Sequence, residues 1–116
     1  MKIFNCCNSN LRQTIDDSNI LLSDDITNEI LVGTTPTILL AAINLNRKIV
    51  KIFTEQHSDI STRLLVKHSA NININNFALA LPENYAYINS NQASSPLCVA
   101  TNTGTTLIKF TVVNKL

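Results

Sequence analysis

The stretch that decides the fold is Thr105–Asn114, which reads TTLIKFTVVN. Ile108, Phe110 and Val112 fall on one face of an extended chain, and Lys109 and Thr111 fall on the other. Alternation with a period of two over this length is typical of a β-strand that has one buried face. A strand of this kind requires partners with a similar pattern elsewhere in the chain.

The partners are found in six further short segments. Lys48–Thr54 places Val50 and Ile52 on one face, but Ile49 and Phe53 share the other face with Lys51, so we expect this strand to be covered on both sides. The other segments are Thr37–Ala42, Thr62–His68, Phe77–Leu81, Tyr85–Ile88 and Leu97–Thr101.

Turn residues separate these segments at roughly ten-residue spacing, which is typical of sandwiches and small barrels. Gly104 lies in one such turn and is expected to adopt a positive φ. Asn71–Asn76 fits an alternating edge strand, but four asparagines in six residues favour a loop. We therefore predict an all-β fold, an antiparallel β-sandwich of seven to eight short strands (jelly-roll or immunoglobulin-like) with an N-terminal arm. Its predicted core is Val50, Ile52, Leu64, Val66, Leu79, Ile108, Phe110 and Val112.

Composition limits the classes of function. The chain has 116 residues and a formal net charge of +1. So small a charge argues against nonspecific electrostatic binding to nucleic acid or to a membrane surface. No stretch approaches the roughly 18 apolar residues of a membrane-spanning helix. Three cysteines, two of them adjacent, are a poor framework for intrachain disulfides and favour folding in a cytoplasm.

No group of residues forms a catalytic or metal-binding motif. Cys6 and Cys7 are adjacent, whereas zinc ligands are separated by two to four residues. The acids match no calcium-binding loop. Cys98 paired with His57 or His68 would make a nucleophile and base, but a buried structural cysteine is the stronger interpretation. We therefore expect no cofactor, no metal and no enzymatic activity.

The first 33 residues do not share the alternating pattern. We predict an N-terminal arm at residues 1–33 and a sandwich at residues 34–116. Ile20–Val32 fits either a short helix or an extended strand that ends at Gly33. The arm is too apolar for a solvated tail, so we expect it to order against another chain; the alternative is that it packs on its own sandwich. The candidate partner-binding residues are Ile3, Phe4, Leu11, Ile15, Ile20, Leu21 and Leu22.

Residues 34–114 resemble small structural proteins of tailed bacteriophages. In Thr37–Ile52, an apolar strand ends in a small-residue pair and an Asn-x-x-Arg-like turn opens the next strand. Leu64–Val66 corresponds to the partner strand, and Phe77–Tyr85 to an apolar strand, a turn with proline and an aromatic strand. Leu97–Thr105 with Ile108–Val113 corresponds to the closing hairpin. This chain has Glu83 and Asn84 where the family often has glycine.

The resemblance implies a non-enzymatic virion protein. Its implied role is capsid decoration, as a cement protein that binds and stabilises a bacteriophage capsid. The implied partners are the major capsid protein or other virion proteins, with many copies or a homo-oligomer on the shell. The implied location is the virion, after synthesis in the host cytoplasm. The alternative function is a carbohydrate- or receptor-binding module of a phage fibre or tail, in which Tyr85 and Tyr87 would stack on a sugar.

Overall fold

The computed structural model describes residue 22 and residues 26–69, 71–72 and 75–116. Within these residues, eight strands form two four-stranded sheets, and every pairing between them is antiparallel. The predicted β-sandwich is therefore confirmed, in the jelly-roll variant. The strands are β1 (Ile26–Val32), β2 (Thr37–Leu40), β3 (Arg47–His57), β4 (Leu64–Lys67), β5 (Leu79–Leu81), β6 (Ala86–Asn89), β7 (Leu97–Thr101) and β8 (Thr106–Asn114).

The first sheet has the order β1-β8-β3-β6 and contains the two longest strands, β3 and β8, at its centre. Ile52 of β3 lies opposite Phe110 of β8, and Val50 lies opposite Val112. Because side chains alternate across a strand, this register directs the apolar residues of both strands into the space between the sheets.

The second sheet has the order β2-β7-β4-β5. All five residues of β7 are buried, because Leu97 and Val99 face the first sheet while Cys98 and Ala100 lie under a cover on the outer face. Leu65 of β4 and Ile72 of the β4–β5 connection complete that outer cluster. The second sheet is thus buried on both faces around β7.

The main core confirms most of the predicted core residues. Val50, Ile52, Leu64, Val66, Ile108 and Phe110 are buried in one cluster, and Val112 packs against it. The prediction for Leu79 is wrong: it is 40% exposed, while Leu81 of the same strand is 5% exposed. The physical reason is that β5 is a three-residue edge strand that is covered only at its Leu81 end.

Strand β1 begins before the predicted domain boundary at residue 33. All seven of its residues pair with β8, from Ile26 opposite Val112 to Val32 opposite Thr106. Val32 is fully buried in the main core. Residues 26–32 therefore belong to the sandwich, as the strand interpretation of Ile20–Val32 required. The rest of the predicted arm, apart from Leu22, lies outside the described residues.

The two ends of the sandwich differ in their connections. The turn end carries the connections 33–36, 58–63, 82–85 and 102–105, and the terminal end carries the connections 41–46, 68–78 and 90–96 with the C-terminus. At the turn end Gly104 adopts a φ of 67°, as predicted, and Asn84 adopts a φ of 53°. Asn tolerates this left-handed conformation better than most residues, which explains how the turn forms without a glycine.

Truncation of Phe110 tests the register of the first sheet. Phe110 is 4% exposed and Phe53, on the neighbouring strand, is 48% exposed on the opposite face. Phe110→Ala should lower the free energy of unfolding by about 3–5 kcal/mol, because it leaves a cavity in the core. Phe53→Ala is the matched control and should cost much less. Chemical denaturation of both variants measures the difference, and equal losses would contradict the assigned register.

Candidate functional site

The predicted partner-binding residues fall almost entirely outside the described part of the chain. Ile3, Phe4, Leu11, Ile15, Ile20 and Leu21 lie there, so their partner-binding role stays a prediction. Leu22 is described: it forms an isolated antiparallel β-bridge with Lys115 and is 39% exposed. This bridge extends the β1–β8 pairing to the terminal end of the sandwich.

Cys98 lies in an apolar environment. It is fully buried in the outer cluster of the second sheet, beside Leu65, Ile72 and Ala100. Burial raises the pKa of the Cys98 thiol, which disfavours the reactive thiolate. Lys67, opposite Cys98 in the ladder, donates a hydrogen bond to Oδ1 of Asn76. The arrangement supports the interpretation of Cys98 as a structural residue.

His57 links strands β3, β5 and β8 through hydrogen bonds, and its ring does not act as the base of a Cys–His pair. Its Nδ1 lies 2.6 Å from Oγ1 of Thr106 on β8, and its Nε2 lies 3.3 Å from the carbonyl oxygen of Leu81 on β5. Its backbone N–H donates to Oε1 of Glu83. The last residue of β3 is thereby tied to both sheets at the turn end.

His68 forms a second polar cluster, between the two sheets near the terminal end. Its Nε2 lies 2.7 Å from the hydroxyl of Tyr87 on β6, and that hydroxyl also accepts a hydrogen bond from Nδ2 of Asn89. In a neutral imidazole, the tautomer decides whether Nε2 accepts from the Tyr87 hydroxyl or donates to it. Nδ1 of His68 is buried near the backbone of Gln92. Burial lowers the pKa of His68 below its ordinary value and raises the pKa of Tyr87.

The tyrosines do not form the surface pair that a sugar platform requires. Tyr85 precedes β6 and is exposed, whereas Tyr87 is half-buried against the main core and engaged with His68. A flat stacking surface needs both ring faces accessible on one side of the molecule. The carbohydrate-binding alternative therefore loses the two residues on which it depended.

Arg47 is a buried cation that closes the terminal end. Its Nε donates to the carbonyl oxygen of Ala93, and its Nη2 donates to the carbonyl oxygens of Ala42 at 2.5 Å and Ser94 at 3.2 Å. Five donors in a rigid fork suit such a set of carbonyl oxygens. Arg47 therefore joins the β2–β3 and β6–β7 connections. The sequence placed it in a turn and gave no sign of this role.

A shallow groove lies on the outer face of the first sheet, which we call the outer groove. Lys51, Phe53, Ile88 and Lys109 define it, and its volume is about 260 Å³. Ile88 lies opposite Lys51, and Phe53 lies opposite Ala86 and Lys109. Lys109 forms an ion pair with Glu55 at 3.7 Å, with both side chains partly exposed, so that pair contributes little. The expectation that β3 is covered on both sides is wrong at this place, because Phe53 is 48% exposed on the outer face.

Large apolar side chains are also exposed at both ends of the sandwich. Ile60 is 92% exposed at the turn end. Its turn is held in place by hydrogen bonds from Arg63 to the Ile60 carbonyl oxygen and from Ser61 to Asp59. At the terminal end the exposed residues are Ile43, Leu45 and Leu116.

Within the described residues, no three His, Cys, Asp or Glu side chains come together in a way that could hold a metal ion. A search of the same residues finds no helix with the length and apolar character needed to cross a membrane.

Comparison with known proteins gives one informative likeness. No protein-family model matches the chain, and no curated protein matches it at a significant level. A solved structure of Bacillus endospore appendages, described as a family of disulfide-linked pili, contains a chain of similar fold. The two chains superpose with a TM-score of 0.50 over 84% of this chain and 88% of the other, at 13% sequence identity. The likeness is in the fold.

The depressed pKa of His68 predicts a dependence of stability on pH. The unfolded chain binds a proton to this histidine more readily than the folded chain does, so the free energy of unfolding should fall as the pH drops below about 6.5. His68→Gln removes the titrating group but keeps an acceptor for Tyr87. Denaturant melts at pH 7 and pH 5 should show a smaller loss for the variant than for the native protein. Equal losses would mean that His68 is not buried as the structure has it.

Proposed function

We propose that this protein is a non-enzymatic structural subunit that joins many copies of itself into a fibrous assembly. The observation that carries the proposal is the match of almost the whole sandwich to a chain of the Bacillus endospore appendages, which are pili. The match covers nearly all of both chains, so it concerns the complete domain rather than a shared hairpin. Fold alone does not determine function, and the surface of this chain supplies the second support.

Among the exposed apolar side chains are four that lie at opposite ends of the molecule. Ile60 projects from the turn end, and Ile43, Leu45 and Leu116 project from the terminal end. Two different surfaces on one subunit form heterologous contacts, which continue as a fibre or a ring instead of closing as a dimer. In such an assembly both ends of each subunit are covered by neighbouring subunits. This explains why the apolar side chains at the ends are exposed in the isolated subunit.

The sequence offers cysteines for linking copies. The neighbouring appendages are disulfide-linked. In this chain the buried Cys98 is protected, so we assign the linking role to Cys6 or Cys7. Three cysteines form a poor set for intrachain pairing, but an odd number is compatible with pairing between chains. Disulfides persist only in an oxidising environment, so the assembled form would stand outside the cytoplasm in which the chain is made.

Capsid decoration belongs to the same structural class and is the second candidate. The resemblance of residues 34–114 to small phage structural proteins supports it. The two candidates differ in what the purified chain does alone: a pilus-like subunit assembles by itself, whereas a decoration protein binds a shell.

The test is the assembly state of the purified full-length protein. Under oxidising conditions at high concentration, we expect fibres in negative-stain electron microscopy and a ladder of covalent oligomers on a non-reducing gel. Cys6→Ser with Cys7→Ser should abolish the ladder, and Cys98→Ser is the matched control that should keep it.

The contrary results are equally specific. A protein that stays monomeric at every concentration, oxidised or reduced, contradicts self-assembly. If that monomer binds purified phage particles, capsid decoration replaces the pilus-like role. A ladder that is lost in Cys98→Ser but kept in the double variant would reverse the assignment of the linking cysteine.

A further inference from the structure

The exposed Ile60 at the turn end lies on a turn whose backbone is fixed by hydrogen bonds. The backbone N–H of Thr62 donates to the carbonyl oxygen of Asp59, and the N–H and hydroxyl of Ser61 both donate to Oδ1 of Asp59. The bonds from Ser61 lower the pKa of Asp59, so its carboxylate is charged at neutral pH. Nη1 of Arg63 donates to the carbonyl oxygen of Ile60 at 3.0 Å. Because the turn is already ordered, a partner can bury the 92% exposed Ile60 side chain at a small entropic cost.

Two exposed leucines, Leu45 and Leu116, lie on adjacent segments at the terminal end, and we call them the end patch. Their segments are joined by a hydrogen bond of 2.7 Å from the backbone N–H of Lys115 to the carbonyl oxygen of Asn46. Each leucine is 74% exposed. The backbone N–H of Asn46 also donates to Oδ1 of Asn44, which fixes the turn that carries Leu45. The end patch is therefore a second ordered apolar surface, opposite Ile60.

The two ends carry charges of opposite sign. The connections of the turn end contain two acids, Asp59 and Glu83, and one cation, Arg63. The connections of the terminal end contain no acid, and four cations lie in them or at the adjoining ends of strands: Arg47, Lys48, Lys67 and Lys115. Asp24 and Asp25 precede β1 in the sequence and would offset only two of these four cations. The subunit is thus negative at the turn end and positive at the terminal end.

We propose that the turn end of one copy binds the terminal end of the next copy, with Ile60 packed against the end patch and the Asp59 carboxylate beside the Lys115 ammonium group. This inference rests on the proposed fibrous assembly and names the contact that repeats along it. A second copy fits because each end supplies the charge that the other end lacks. Asp59 and Lys115 are both exposed, so their ion pair adds little affinity. It favours head-to-tail contact instead, because two like ends would bring like charges together.

The proposed contact is small. Stable interfaces bury about 1,200–2,000 Å² in total, and one isoleucine with two leucines supplies only part of such an area. The contact should therefore form at high protein concentration, or where disulfides from Cys6 or Cys7 hold neighbouring copies together. A dilute, reduced subunit stays monomeric.

Pairwise cross-linking tests which surfaces meet. The full-length protein with Cys6→Ser and Cys7→Ser is prepared in two versions, one with Ile60→Cys and one with Leu45→Cys. The remaining Cys98 is fully buried. On oxidation at high concentration, the mixture should form covalent dimers at least tenfold faster than either version alone, because only the mixture brings two thiols together at one contact. Both introduced cysteines replace exposed side chains, so both versions should fold, which circular dichroism checks.

Two further variants identify the parts of the contact. Ile88→Cys is the matched control for Leu45→Cys: Ile88 is 64% exposed but lies on the outer face of the first sheet, so its mixture with Ile60→Cys should form dimers no faster than either version alone. Asp59→Asn, introduced into the Ile60→Cys version, keeps an acceptor for Ser61 and removes the charge. It should slow dimer formation with Leu45→Cys severalfold.

The contrary results separate this contact from the assembly as a whole. Rapid dimer formation by Ile60→Cys alone would show that two turn ends meet and would overturn the head-to-tail contact. A mixture with Leu45→Cys that reacts no faster than the Ile88→Cys mixture would overturn it too. If the native protein still forms fibres and covalent ladders, the proposed function stands and only this contact is lost. A native protein that forms neither contradicts the assembly itself.

Discussion

The pairing of β3 with β8 is the interaction on which the rest of the structure depends. These strands lie side by side in the middle of the first sheet, so β1 and β6 reach the sheet only through them. Their ladder sets the register that turns Ile52 and Phe110 inwards. Buried polar side chains fix both ends of β3, with Arg47 bound to loop carbonyl oxygens at one end and His57 bound to Thr106 and Leu81 at the other. Because the two strands are far apart in sequence, this pairing must form against a large loop-closure entropy.

Local pattern was sufficient to predict the strands that carry strict alternation. Leu97–Thr101 was predicted with the bounds that the structure has, and β8 differs by one residue. The sequence did not distinguish a strand from a helix for β1. Its residues form a strand only because all seven pair with β8, which lies at the other end of the chain. Leu79 and Leu81 have the same alternation in sequence, and only the position of the short edge strand β5 decides which of them is buried.

The surfaces were harder to predict than the core. The sequence did show that Phe53 shares a face with Lys51, but it predicted that this face is covered, whereas the structure leaves it open as the outer groove. It gave no sign that Arg47 would close the terminal end or that His68 would bind Tyr87, because both contacts join segments that are distant in the sequence. The same pattern of short alternating strands is compatible with decoration proteins and with pilus subunits. The strand pattern of such a sandwich therefore does not identify its partner. It has to be read from exposed side chains and from the chain outside the sheets.

Hydrogen exchange of the monomeric protein, measured by mass spectrometry, tests the central role of the β3–β8 pairing most directly. The account predicts that the amides of residues 47–57 and 106–114 exchange slowest and only by global unfolding, while those of β2, β5 and β6 exchange faster through local opening of edge strands. Protection that is greatest in the second sheet, with β3 and β8 exchanging through local opening, would contradict it.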